Sequence, residues 1–268
     1  IIMNNEPTSE NYDILIWTMQ KFSTVTIPSF IKTIGNSAFY YHTLLKQVTI
    51  PSSVTLISEC AFYHCSSLEQ VTIPSSVTFI GEFAFCGCSS LTQMTIPSSV
   101  TSISHRSFSD CSSLTQVTIP SSVKIIYDYA FDQCTSLDQV TILSALTSIG
   151  KRIFARCPSL TQVTIPSSLT LFDGFCFEEC EKLEKFIIIP CEEKRTEFFE
   201  DKFLIFKSDP TSENYDTLVW SRPTLDTVTI PPFIKRIGDN AFYRRKLITQ
   251  ITIPSSVKSI GHFAFYGC

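Results

Sequence analysis

Apolar and polar positions repeat along this chain with a period of 23 residues. The clearest unit begins Leu68-Glu69-Gln70-Val71-Thr72-Ile73-Pro74-Ser75-Ser76-Val77. Val71, Thr72 and Ile73 alternate between two sides, and β-branched residues in alternation predict a short half-buried strand. Pro74 ends it, because proline cannot donate to a ladder. Ser75-Ser76 then turns the chain. Val77 and Ile80 are three apart, as are Phe85 and Cys88. That spacing predicts tight turns or short 3₁₀ pieces rather than a second long strand.

The same unit recurs through most of the sequence. Pro28, Pro51, Pro74, Pro97, Pro120 and Pro166 stand in one column, with Leu143 filling its gap. A Phe column runs Phe39, Phe62, Phe85, Phe108, Phe131, Phe154 and Phe177, and returns at Phe242 and Phe265. Cys follows three residues later at Cys65, Cys88, Cys111, Cys134, Cys157, Cys180 and Cys268, while His42 holds that place in the first unit. The consensus is L-x-x-V-T-I-P-S-S-V-x-x-I-x-x-x-A-F-x-x-C-S-S, found in ten strand units. A unit of this length cannot close a core alone. Stacked copies bury its apolar positions as columns and place equivalent strands in parallel. The expected fold is a right-handed solenoid.

A longer repeat lies above the short one. Pro7-Thr8-Ser9-Glu10-Asn11-Tyr12-Asp13 returns as Pro210-Thr211-Ser212-Glu213-Asn214-Tyr215-Asp216, and the same offset maps Cys65 onto Cys268. The short period fails between Pro190 and Pro231. That interval opens with the charged stretch Glu192 to Lys202. Two apolar strands follow, Phe203-Leu204-Ile205-Phe206 and Thr217-Leu218-Val219-Trp220. Ile14-Leu15-Ile16 with Trp17 is the counterpart of the second strand in the first copy. The expectation is a single solenoid over residues 1–268, part of a longer array, with residues 191–222 forming an elongated repeat that carries a charged segment and a β-hairpin.

The unit fits a leucine-rich-repeat pattern with Val and Ile at the second and third Leu positions and Ser76 at the Asn position. More closely, it resembles the BspA-like, Treponema-type leucine-rich-repeat family. The residues that carry the likeness are Ile73-Pro74-Ser75-Ser76-Val77, the Ile-Gly pairs Ile80-Gly81, Ile149-Gly150 and Ile260-Gly261, and Ala84-Phe85-Cys86-Gly87-Cys88. The resemblance implies a leucine-rich-repeat solenoid of the α/β repeat class, mostly strand and turn. Its parallel sheet would line a concave face, with short 3₁₀ or turn segments on the convex side. It also implies a hairpin in the elongated repeat. Members are mostly surface proteins of bacteria and parasitic protists, several described as adhesins. A protein-binding role at the cell surface or in secreted form is therefore expected, with a host matrix or cell-surface protein as partner.

Composition narrows the alternatives. Hydrophobic residues make up 44% and charged residues 17%, against about 25% charged in typical domains, which excludes a disordered chain. The net charge of −4 supplies no basic excess for a phosphate backbone, so nucleic acid is not expected as a partner. No apolar run is long enough to span a membrane.

Stacked cysteine side chains point in parallel, whereas a disulfide needs converging Cβ atoms. Most of the eleven cysteines are therefore expected to be free thiols packed as small hydrophobes. Cys86-Gly87-Cys88 and Cys176 with Cys180 lack a second ligand pair at zinc spacing, and no metal or cofactor is expected. His42, His64, His105 and His262 share no column with a carboxylate. No nucleophile elbow, phosphate loop or zinc-protease motif occurs, and the chain is not expected to be an enzyme.

The outward strand positions remain as candidates. Gln47, Gln70, Gln93, Gln116, Gln139 and Gln162 form one column and Thr49 through Thr164 another. These columns either satisfy one another by hydrogen bonding or form a polar platform for an extended protein. The neighbouring position varies, as Lys46, Glu69, Thr92, Thr115, Asp138, Thr161 and Glu184, and is where selectivity would be placed. The candidate protein-binding face is thus Lys46, Gln47, Glu69, Gln70, Gln93, Gln116, Asp138, Gln139 and Gln162. The free thiols also fit a reducing cytosol, which keeps a cytoplasmic scaffold and a structural spacer open as alternatives.

Overall fold

The computed structural model describes residues 2–3, 13–146, 148–169, 172, 174–209 and 211–268, with backbone alone for Ile2–Met3. Pro7 to Tyr12 and Pro210, part of the long-repeat motif, lie outside the described residues.

The chain is a solenoid of parallel rungs in which equivalent residues pair. Thr24–Thr26, Gln47–Thr49 and Gln70–Val71 form one run, and Gln116–Ile119, Gln139–Ile142, Gln162–Pro166 and Lys185–Ile189 another. Register follows the period: Gln47 pairs with Gln70, Gln116 with Gln139 and Gln139 with Gln162. A parallel bridge from Gln70 to Gln93 extends the first run by one rung. Val, Ile and Leu point inward and Gln and Thr outward, as in the exposed–buried alternation of Gln116–Ile119. After the Pro, the second Ser of the pair ties rungs together. Ser53, Ser76, Ser99 and Ser122 Oγ donate to the carbonyls of Ile31, Val54, Val77 and Val100 at 2.6, 2.6, 2.5 and 2.8 Å.

The segment expected to be turn holds a second parallel ladder. Thr33–Ile34, Leu56–Ile57 and Phe79–Ile80 pair in sequence, as do Ser102–Ile103, Ile125–Ile126 and Ser148–Ile149. Each strand is two residues long, with Ile34, Ile57 and Ile80 buried.

Beyond it the chain coils through a turn with two left-handed residues per unit. Ser37 and Tyr41 have φ of 58° and 56°, and the same columns recur at Cys60 and His64, Phe83 and Gly87, and Tyr129 and Gln133. Non-glycine residues avoid this region at a cost of roughly 1–2 kcal/mol each. Alternate amides offset it. Ser37, Phe39 and Tyr41 N–H donate to Glu59, Ala61 and Tyr63 of the next rung, while Ala38, Tyr40 and His42 N–H close i−3 turns inside their own. Only one 3₁₀ segment, Gly174–Phe177, occurs among the described residues.

The Phe column fills the centre. Phe85, Phe108 and Phe131 stack with centroids 5.6 and 5.3 Å apart and planes within 10°. Phe39 to Phe177 form one unbroken stack. Beyond Phe177 the stack bends through Phe186 to Trp220.

The interval after Pro190 contains three antiparallel strands rather than two. The charged stretch Glu192 to Lys202 includes the strand Thr196–Phe199, which pairs with Phe203–Phe206. Phe203–Phe206 in turn pairs with Thr217–Ser221. Thr217–Ser221 also pairs in parallel with Arg236–Ile237, so the meander is grafted onto the second ladder. The first copy repeats the arrangement in the same register. Ile2 pairs with Leu15 as Ile205 pairs with Leu218.

The turns also stack across this interval. Gly174 N–H donates to Asp239 O at 3.3 Å, and Phe175 meets Tyr243 edge-on at 5.0 Å.

Candidate functional site

The outward face of the first ladder carries the predicted site residues together, because identical rungs stack in register. Lys46, Gln47, Glu69, Gln70, Gln93, Gln116 and Gln139 are exposed, and Asp138 and Gln162 are half-buried. The Gln column does not bond to itself among the described residues. Gln139 Nε2 instead donates to Asp138 Oδ2 at 3.4 Å. The other amides of the column have no side-chain partner among the described residues. The variable position contributes exposed charge at one end, where Lys46 Nζ lies 3.5 Å from Glu69 Oε1. An exposed pair of this kind adds little stability. Thr161 Oγ1 donates to Asp138 Oδ1 at 2.6 Å, which fixes that carboxylate along the face.

Between Gln47 and Gln162 the face is interrupted at one place. Met94 replaces the Val of other units and is half-buried, and the strand pairing lapses between Gln93 and Gln116. A depression of about 390 Å³ opens there, lined by Thr92, Gln93, Met94, Thr95, Thr115, Gln116 and Thr118. Sequence reasoning missed it. The Val-to-Met change at position 94 was the available signal.

The cysteine column has a defined structural task. Each thiol donates to the Phe carbonyl of the preceding unit: Cys65 to Phe39 O at 3.1 Å, Cys88 to Phe62 O at 3.2 Å and Cys111 to Phe85 O at 3.3 Å. The same bond recurs at Cys134, Cys157, Cys180 and Cys268. All eleven cysteines are free. Burial pushes the thiols of Cys88, Cys111, Cys134 and Cys157 well up from the ordinary value. Cys86 is pushed up to about 12 by burial and the nearby Asp110 carboxylate. Nucleophilic use requires a thiolate, so these are packing groups.

Where the column departs from Cys, another donor takes over. His42 Nε2 lies 3.1 Å from Thr18 O. Its counterpart in the second copy, Arg245, donates from Nε to Ser221 O at 2.9 Å. The same pairing of copies holds for the tryptophans with a different outcome. Trp220 is buried against Phe186, whereas Trp17 is 44% exposed. On the turn side, Asp132 is buried and bonded by Arg156 through Nε at 3.0 Å and through Nη2. Burial raises its carboxyl despite the Arg156 guanidinium. No group of three potential metal ligands occurs among the described residues. No helix among them is long and apolar enough to cross a membrane.

Comparison with known proteins gives a consistent picture. The profile of the BspA type leucine rich repeat region matches in six copies, over residues 16–124, 101–205 and 217–268. A leucine rich cell surface protein from Faecalibacterium prausnitzii A2-165 is 31% identical with a TM-score of 0.71, covering 91% of this chain and 66% of that one. A leucine-rich repeat protein from Eubacterium ventriosum ATCC 27560 is also 31% identical, with a TM-score of 0.63 over 75% of this chain and 52% of that one. The pneumococcal vaccine antigen PcpA shares the fold at 19% identity and a TM-score of 0.66, over 96% of this chain and 61% of that one. The chain thus spans less than two thirds of the length of each. No curated protein matches it in sequence.

Proposed function

Because the chain belongs to the BspA-type leucine-rich-repeat family, we propose that it is a non-enzymatic protein-binding module whose Gln and Thr columns receive an extended protein partner. The observation that carries this reading is the register of the first ladder. Gln116, Gln139 and Gln162 are paired rung to rung, so amide groups face outward at the ~4.8 Å spacing of neighbouring strands. An extended chain laid across the rungs meets a donor and an acceptor at each step. In this reading residues 1–268 act as one solenoid, and residues 191–222 are an elongated repeat set into it. The module sits at the cell surface or is secreted, with host matrix or cell-surface proteins as partners. The description of a 31% identical structure as a cell surface protein supports that placement.

The eleven free thiols favour a second reading, an intracellular scaffold that uses the same face. A secretion signal or membrane anchor in the full-length gene separates the two.

The test is binding of the intact chain to immobilised extracellular-matrix proteins, read by surface plasmon resonance. Gln93→Arg, Gln116→Arg and Gln139→Arg are made together. The control changes His105, Asp128 and Lys151 to Ala on the turn side. The expected result is loss of binding in the first set and its retention in the second. Equal loss in both sets refutes the face assignment.

A further inference from the structure

The seam beside the elongated repeat holds a buried cation with no counter-charge. Glu179, Cys180 and Glu181 of one turn lie across a cleft of about 330 Å³ from Tyr243 to Leu247, with Pro223 and Thr224 also lining it. Arg245 occupies the column that holds Cys in seven other units, and it is only 8% exposed. Its contacts are all to uncharged groups. Nε donates to Ser221 O at 2.9 Å and to Ser221 Oγ at 3.3 Å, and Nη1 donates to Tyr243 O at 3.4 Å. The guanidinium lies 5.4 Å from the Trp220 ring centre. Nη2 has no hydrogen-bond partner among the described residues.

The carboxylates nearby do not neutralise it. Glu179 is engaged by Arg244, and Glu181 is exposed on the rim. No ion pair of Arg245 occurs among the described residues. Burial without an anion pulls its pKa down to about 10. A buried unpaired charge is costly, and a site that brings an anion to it recovers part of that cost. Backbone bonding alone does not call for a permanent cation here, since His42 meets the equivalent acceptor, Thr18 O, in the first copy.

We propose that this cleft binds a single oxyanion, a carboxylate, sulfate or phosphate group, with Arg245 as its buried anchor and Lys246 at its rim. A planar guanidinium suits this recognition because two of its N–H groups can address two oxygens at once. The site lies on the turn side of the rungs and does not depend on the Gln face.

The test is thermal unfolding of the whole chain in sodium phosphate, sulfate or acetate, each against sodium chloride at equal ionic strength. At a hundredfold excess over Kd, binding to the folded state raises Tm by about 5 °C. The anion that saturates at the lowest concentration identifies the source of the group. Arg245→Cys replaces the guanidinium with the neutral residue that other units carry in this column, and it is expected to abolish the shift. Lys246→Gln, at an exposed position, is expected to weaken phosphate binding severalfold by isothermal titration. No shift beyond the chloride control in the parent overturns the proposal. So does a shift that survives in Arg245→Cys, or, should that variant not fold, unchanged phosphate affinity in Lys246→Gln.

Discussion

Raising the pH from 8 to 10 is expected to unfold this protein through its thiols. Cys88, Cys111, Cys134 and Cys157 are each 0% exposed, and burial raises their pKa values in the fold. In the unfolded chain a cysteine titrates near ~8.5. Below that pH both states hold the proton and the thiols add no pH dependence. Above it the unfolded state releases protons that the folded state keeps, so stability falls as pH rises. The limiting slope is about 1.4 kcal/mol per pH unit for each thiol. At pH 10 each buried thiol therefore costs about 2 kcal/mol, and the four together about 8 kcal/mol. That is comparable with the whole stability of a typical domain, roughly 5–15 kcal/mol.

The assay is urea unfolding followed by circular dichroism under a thiol-free reductant, at half-unit steps from pH 7.5 to 10. The control is Cys111→Ala with Cys134→Ala. At pH 7.5 the double variant is less stable, because two thiol-to-carbonyl bonds are lost, each worth about 0.5–1.5 kcal/mol. Its alkaline slope is expected to be about half that of the parent, so the two stabilities converge as pH rises. Parallel curves would show that the column does not hold protonated thiols in the core, and the packing argument would fall with it.

Two further predictions concern the core and the turns. Phe108→Ala removes a ring stacked on both sides and should cost about 3–5 kcal/mol; Phe265, half-buried and stacked on Phe242 alone, should cost about half as much in the same urea assay, and equal losses would refute the nearest-neighbour account. Gln133→Gly relieves a left-handed residue at φ 60° and should raise stability by up to about 1 kcal/mol, whereas a loss would show that the glutamine side chain holds the turn.

The parts of this fold legible in the sequence are those governed by short-range periodicity. Gln116 to Ile119 alternate over four residues, and pairing of equivalent rungs follows from the repeat itself. The second ladder escaped because Leu56–Ile57 and its equivalents are two residues long, too short for an alternation to show. Ser37, Cys60, Phe83, Arg106, Tyr129 and Arg152 share a left-handed backbone without sharing any chemistry. In the first five the amide bonds to the next rung, a pairing that no local propensity encodes. Glu200 and Asp201 were hidden for a different reason. With φ of 50° and 52° they form the turn between Thr196–Phe199 and Phe203–Phe206. A turn of that shape usually announces itself as Asn-Gly or Asp-Gly. Here two acidic residues ended a charged run, and the strand before them was read as part of it.

The cysteines show how far the residue-level argument reaches before geometry is needed. Parallel side-chain directions predicted free thiols, but not what each thiol does. Its acceptor, the carbonyl of a Phe 26 residues earlier, becomes visible only when rungs are stacked. The column selects a small group with a weak donor, which explains why Cys recurs where Val or Ala would pack. It also explains the exceptions. His42 and Arg245 are larger, but each brings an N–H to the same kind of acceptor at Thr18 and Ser221. Both stand where the rung before them departs from the regular unit, so the usual spacing from Phe carbonyl to thiol is not in place. A longer side chain is needed to reach the backbone. At position 245 that reach brings a charge into the core, and the chemistry of the seam follows from it.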